Sequence, residues 1–174
     1  MPALSATQVR EHATKHARRC EPRHVDVWLL TTRIQPAEWQ IYESVLSLSE
    51  REAAARFRFE ADRQRSIVSR GGLRWVLSAY CDLPPGDLNF QVASHGKPSL
   101  SGFSSALQFN VSHSGDYVLV GVTRGTPCGV DIERFNSRVR ELDIANRFFC
   151  PREVEWLRHA DRGFLRLWTM KEAI

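Results

Sequence analysis

The period of hydrophobic and polar positions changes several times along this chain, and each change predicts an element. Val25-Asp-Val-Trp-Leu-Leu30 alternates and then turns wholly apolar, which predicts a strand. Leu73, Val76, Leu77 and Tyr80 fall at i, i+3, i+4 and i+7, one apolar face of a long helix. Gly71-Gly72 interrupts that helix at about 1 kcal/mol per glycine against alanine. Two readings of the pair stay open: close helix packing, or close approach of a ligand. Upstream, Ser49 and Glu52 have the spacing of a capping box for a short helix ending near Phe59, and Asp62 reads as the N-cap of the long helix. Leu83-Pro-Pro-Gly-Asp87 is a turn cluster, Asn89–Ala93 a strand, and Ser94–Ser99 a loop.

The pattern then repeats faintly. Gln108–Val111 predicts a short strand and Tyr117–Thr123, nearly continuous in apolar character, a buried one. Gly129-Val-Asp-Ile-Glu133 alternates and predicts a third strand. Pro151 suits the first turn of a helix, with Glu153 and Glu155 beside its positive end, and a last helix is expected from near Asp161. Arg51-Glu52, Asp62-Arg63 and a long helix in one half echo Arg152-Glu153, Asp161-Arg162 and a long helix in the other. The expected class is α+β, built from two pseudo-symmetric α/β halves at 24–104 and 105–174, the second incomplete. Residues 1–23 read as a polar, frayed leader; His12 and His16 in it have helical metal-ligand spacing but no third ligand nearby.

Composition narrows the class. The 174 residues are 43% hydrophobic and 25% charged, which excludes wholesale disorder. The net charge of +4 is too mild to establish nucleic-acid binding, and Arg-rich faces interleaved with exposed aromatics are not evident. Of 24 basic residues only Lys15, Lys97 and Lys171 are lysines. Cys20, Cys81, Cys128 and Cys150 form no CxxC pair and read as buried or inert thiols. No stretch approaches the ~18 apolar residues of a spanning helix, and no secretory signal is visible. A cytoplasmic protein is expected, with neither membrane nor nucleic acid among its partners.

The candidate chemistry is carboxylate and phosphate chemistry. Asp131 and Glu133, two apart on an extended segment, leave the same face. They either lie in solvent or share a cation. Leu165, Trp168, Thr169 and Glu172 share a helical stripe, which is expected to turn Glu172 toward the protein, where a carboxylate needs a positive partner or a metal. Three carboxylates suit a hard cation such as Mg²⁺, whose natural task is attack at a phosphate or pyrophosphate. Lys97 lies in the tight loop His95-Gly-Lys-Pro98, and Lys171 directly precedes Glu172. Ser112-His-Ser114 offers hydroxyls and an imidazole, a phosphate donor, a general base or a structural group.

In order, Gly96-Lys-Pro98, Phe109-Asn-Val-Ser-His-Ser-Gly115, Gly129-Val-Asp-Ile-Glu133, Arg147-Phe-Phe149 with Glu153, and Trp168-Thr-Met-Lys-Glu-Ala173 resemble the 4′-phosphopantetheinyl transferases. The likeness is greatest to the larger, surfactin-synthetase-activating type, and runs from about residue 25 to the end. The resemblance implies Mg²⁺-dependent transfer of phosphopantetheine from coenzyme A to a serine of an acyl or peptidyl carrier protein, by a monomer. It implies Asp131, Glu133 and Glu172 as metal ligands, with Asp131 also at the coenzyme. Glu172 is then the general base for the carrier serine, and Lys171 lies at the pyrophosphate. Ser112 and His113 contact coenzyme A phosphates, and Ser66 beside Arg65 contacts the 3′-phosphate. Gly96, Lys97 and Pro98 hold the adenine nucleotide, and Arg74 lies nearby on the long helix. Two departures qualify it. Glu50 and Ala53 stand where some members carry lysines, and the chain ends before the lysine expected one turn after Lys171-Glu172, as a C-terminally truncated member would. An inactive relative acting only as a binding protein is the alternative.

Overall fold

The computed structural model describes residues 2–15, 23–81, 83–92, 98–102, 107–135, 141–160 and 163–173. The elements run α1 (Ala6–Lys15), β1 (Val25–Thr31), α2 (Pro36–Glu43), α3 (Leu48–Ala55), α4 (Glu60–Ser78), β2 (Phe90–Val92), β3 (Pro98–Leu100), β4 (Leu107–Ser114), β5 (Tyr117–Arg124), α5 (Glu141–Phe148), α6 (Pro151–Leu157) and α7 (Gly163–Glu172). This is a mixed arrangement of helices with antiparallel sheets, one ordered β1-β5-β4 and the other a β2-β3 pair.

α4 is the spine. Its predicted stripe is buried: Leu73, Val76 and Leu77 pack with Trp28 and Leu30 of β1, Phe109 of β4 and Val118, Val120 and Val122 of β5. The glycine pair is there for packing. A Cβ on Gly71 would stand 2.7 Å from the Tyr42 carbonyl oxygen, and one on Gly72 would stand 2.5 Å from Leu30 Cδ1. Within the stretch expected to fray, Ala6–Lys15 forms a helix, α1. Ala6, Val9 and Ala13 of α1 join the same core, because successive turns of that polar-looking helix carry small apolar residues toward α4. His12 turns its edge to Trp28, while His16 lies outside the described residues.

Several boundaries differ from the pattern. The capping box is Ser47 with Glu50, not Ser49 with Glu52: the Glu50 amide donates to Ser47 Oγ (3.3 Å) and the Ser47 amide donates to Glu50 Oε2 (2.9 Å). The earlier register wins because Glu50 also receives Arg74 Nε at 2.8 Å, a charge that is only 4% exposed. α4 begins after Phe59, so Asp62 sits inside its first turn. Pro98 opens β3 rather than ending a loop. β4 runs on to Ser114, since the Gly115-Asp116 turn closes a two-residue hairpin with positive φ at Gly115 alone, the II′ pattern. Arg33 holds Asp116 at 2.7 Å. Residues 127–135 form no strand, although 129–133 alternate; the amides of Val130, Ile132 and Arg134 are satisfied by side chains instead.

α5, α6 and α7 enclose a second, smaller cluster of Ala145, Phe149, Val154, Leu157 and Phe164. Phe149 and Phe164 stack at 5.6 Å between centroids, and Phe164 and Trp168 at 5.7 Å. Pro151 occupies the first turn of α6 as expected, and Glu153 closes its N-terminus by accepting from the Cys150 amide at 2.9 Å.

Candidate active site

The first turns of α4 face the end of β4 across a cavity of about 230 Å³ lined by Phe57, Asp62, Arg65, Ser66, Ser69, Arg70 and His113. Helical spacing puts Asp62, Arg65/Ser66 and Ser69/Arg70 on one face. Arg65 braces the wall: NH1 meets Asp62 Oδ1 at 2.9 Å and Nε donates to the Gly115 carbonyl at 3.2 Å, tying α4 to the hairpin tip. Among the described residues the side chains of Ser66, Ser69, Arg70 and His113 make no hydrogen bond, so one cation, two hydroxyls and an imidazole converge with open donors. Such a set suits a phosphate. The sequence singled out Arg65, Ser66 and His113. It missed Ser69 and Arg70, although their i+3 and i+4 positions from Ser66 were the signal.

Ser112 is not brought to this cavity. Adjacent strand residues leave opposite faces, so His113 enters the cavity while Ser112 faces the 127–135 segment. There Ser112 Oγ donates to Asp131 Oδ1 at 2.6 Å and Ser114 Oγ donates to Glu133 Oε2 at 3.0 Å. Val130 settles over Gly121 of β5, where a Cβ would come within 2.5 Å of Val130 Cγ1. Asp131 Oδ2 is buried and has no hydrogen-bond partner among the described residues. An orphaned carboxylate oxygen is costly unless a cation or a donor completes it.

The end of α7 meets the start of this segment. A Cβ on Gly129 would overlap the Ala173 carbonyl oxygen, so glycine is what permits that approach. Glu172, expected to face inward, is instead exposed on the last turn. The reason is axial: the apolar cluster takes Phe164 and the half-buried Trp168, and Glu172 lies beyond its end. Lys171 Nζ pairs with Glu153 Oε1 at 3.0 Å and sits 5.3 Å from the Phe149 ring centroid. The Cys150 amide and then the Lys171 ammonium hold the Glu153 carboxyl below the usual carboxylate range. Among the described residues no three His, Cys, Asp or Glu side chains stand together as metal ligands, so Asp131, Glu133 and Glu172 do not form one cage. Mg²⁺ needs only one or two carboxylates when phosphate and water complete its shell, and the orphaned Asp131 oxygen beside Glu133 fits that smaller demand. Pro98 lies at the start of β3, while Gly96 and Lys97 lie outside the described residues.

The structure is thus a helix-and-antiparallel-sheet protein with a phosphate-suited cavity on one face of a strand and paired carboxylates on the other. Comparison with known sequences makes the class specific. Residues 33–124 match the N-terminal family of 4′-phosphopantetheinyl transferases, and residues 127–174 match the 4′-phosphopantetheinyl transferase superfamily. The chain belongs to the 4′-phosphopantetheinyl transferase family. It is similar to the 4′-phosphopantetheinyl transferase HetI of Nostoc sp., at 35% identity over 86% of this chain and 66% of that protein. It is 38% identical to the 4′-phosphopantetheinyl transferase psf-1 of Bacillus pumilus over 74% of this chain and 55% of that one. A Xenopus laevis L-aminoadipate-semialdehyde dehydrogenase-phosphopantetheinyl transferase is 28% identical over 79% of this chain and 50% of its own length. The chain thus matches half to two-thirds of the length of these relatives.

Proposed function

We propose that this protein transfers 4′-phosphopantetheine from coenzyme A to a serine hydroxyl of an apo acyl or peptidyl carrier protein, releasing adenosine 3′,5′-bisphosphate. The observation that carries the reading is the cavity that joins Arg65, Ser66 and Arg70 of α4 to His113 of β4. It supports a role for Ser66, Arg70 and His113 as donors to the 3′-phosphate, with Arg65 shaping the wall. Gly96, Lys97 and Pro98 are assigned to the adenine nucleotide by their motif alone.

In the proposed reaction the carrier serine oxygen attacks the pantetheine-bearing phosphorus of the pyrophosphate. The bond to the nucleotide phosphate breaks, and the bisphosphate leaves. Glu172, which is exposed, would accept the serine proton. Lys171 would exchange its Glu153 partner for a pyrophosphate oxygen and balance charge there. Asp131 with Glu133 would hold Mg²⁺, which when bound supplies charge neutralisation at the pyrophosphate. The Arg-rich surface suits an acidic carrier. We place this chemistry in the cytoplasm and in a monomer, with no nucleic acid or membrane partner; among the described residues no helix is long and apolar enough to cross a membrane.

The test is a loading assay with labelled coenzyme A, apo-carrier protein and Mg²⁺. Loss of one hydrogen bond to a charged group, about 1.5–3 kcal/mol, predicts that His113→Ala weakens coenzyme A use roughly 10- to 100-fold. Asp131→Ala is expected to abolish loading. Undiminished loading by both variants would overturn the assignment.

A further inference from the structure

Three side chains alternate along β4 and meet the segment that follows β5. Asn110 Oδ1 accepts from the Val130 amide at 2.9 Å, Ser112 Oγ from the Ile132 amide at 3.3 Å, and Ser114 Oγ from the Arg134 amide at 2.9 Å. Each partner lies 20 residues on, so the segment runs parallel to β4 in constant register. Side chains supply the acceptors that a neighbouring strand's carbonyls would otherwise provide.

The two serines do a second thing. A hydroxyl has one proton to give. Ser112 gives its proton to Asp131 Oδ1 and Ser114 gives its proton to Glu133 Oε2. Each serine therefore holds its carboxylate and the next amide at once. Asp131 is pinned through one oxygen, and its other oxygen stays buried and unpartnered. Ser112, with its proton committed and its face turned from the His113 cavity, is poorly suited to donate to a phosphate there.

We propose that Asn110, Ser112 and Ser114 are positioning residues: one row of β4 side chains fixes the register of Val130–Arg134 and so presents the Asp131 and Glu133 carboxylates to a divalent cation. The inference rests on the transferase reading for the use of that cation. It gives β4 a division of labour, with His113 serving the nucleotide side and the alternate row serving the acidic side. Partners that orient a metal's ligands typically matter by about 10- to 100-fold in metal affinity.

The experiment uses the whole chain and two probes that need no turnover. Mn²⁺ binding is followed by electron paramagnetic resonance, and adenosine 3′,5′-bisphosphate binding by calorimetry in metal-free buffer. Asn110→Ala, Ser112→Ala and Ser114→Ala are expected to weaken Mn²⁺ about 10- to 100-fold while bisphosphate affinity holds. Ser112→Thr and Ser114→Thr, which keep the hydroxyl, should restore Mn²⁺ binding. Amide exchange in the wild-type chain adds a check that no variant's folding can spoil. Amides 130, 132 and 134 should exchange slowly, and 131 and 133 quickly.

Unchanged Mn²⁺ affinity in the folded alanine variants, or no alternation in exchange, would overturn the proposal. So would a Ser112→Ala chain that loses metal-free bisphosphate affinity as His113→Ala does, which would make Ser112 a phosphate ligand. A wild-type chain that binds the bisphosphate but no Mn²⁺ defeats this inference and spares the transferase reading. One that binds Mn²⁺ but no bisphosphate defeats that reading and spares the ladder.

Discussion

Tyr42 packs its ring against α4 and buries its hydroxyl with no hydrogen-bond partner among the described residues. Burial, and then the Glu38 charge, push that phenol well above its usual pKa. The hydroxyl adds a desolvation cost and gains no bond, so Tyr42→Phe is expected to leave folding stability unchanged or raise it by about 1 kcal/mol in denaturant titration. A clear loss would mean that the hydroxyl has a partner. Among the thiols, burial pushes Cys81 up to about 11, partly offset by Arg124, whereas Cys150 is exposed at the start of α6. Cys150 is therefore not one of the buried thiols, and Cys20 lies outside the described residues. In the native protein iodoacetamide should label Cys150 readily and Cys81 very slowly, as read by peptide mass; equal labelling would contradict the placement. Composition could count these thiols, but it could not assign their surroundings.

At the scale of elements, side chains far apart in sequence decide where helices begin. Ser47/Glu50 and Ser49/Glu52 have the same local spacing. Only the first also meets Arg74, which additionally donates to the carbonyls of Pro85 and Leu88 at 3.0 and 2.8 Å and lies 5.1 Å from the Phe90 ring centroid. One guanidinium thus ties α3, α4 and the approach to β2. Arg74→Ala strands the Glu50 carboxylate and should cost about 3–5 kcal/mol, measured by chemical denaturation. At α6 a charge effect can be isolated, because Gln can replace Glu in a capping box. The Glu153 carboxyl is held low in the folded chain. Its contribution is therefore present above the unfolded-state value, about 4.3, and is lost as pH falls through the lowered folded value. The melting-temperature gap between wild type and Glu153→Gln should be full near neutral pH and close in acid. A gap constant with pH would show that the carboxylate charge is not the source.

Over the whole molecule, the apolar residues divide into a large cluster around α4 and the β1-β5-β4 sheet and a small one within α5, α6 and α7. The smaller one has five buried residues among those described, and its helices carry exposed Leu142, Phe148, Trp156 and Met170. Fewer buried contacts mean lower local stability. Amides of α5–α7 are expected to exchange faster than those of α4 and β5 under native conditions; equal protection would show one cooperative unit.

The sequence by itself determined β1, α4 and β5, whose signal is their apolar pattern, α6, whose signal is Pro151, and the family, because ordered motifs survive without coordinates. It also named Arg65, Ser66 and His113, which converge. Tertiary structure alone decided the rest. It turned Gly71 and Gly72 into a packing site because Tyr42 and Leu30 approach there. It turned Ser112 and His113 to opposite surroundings, because a strand has two faces. It replaced an expected strand at 129–133 with an extended segment held by side chains. And it left Glu172 outside the apolar cluster, since a helical stripe fixes an angle but not where the partner surface ends.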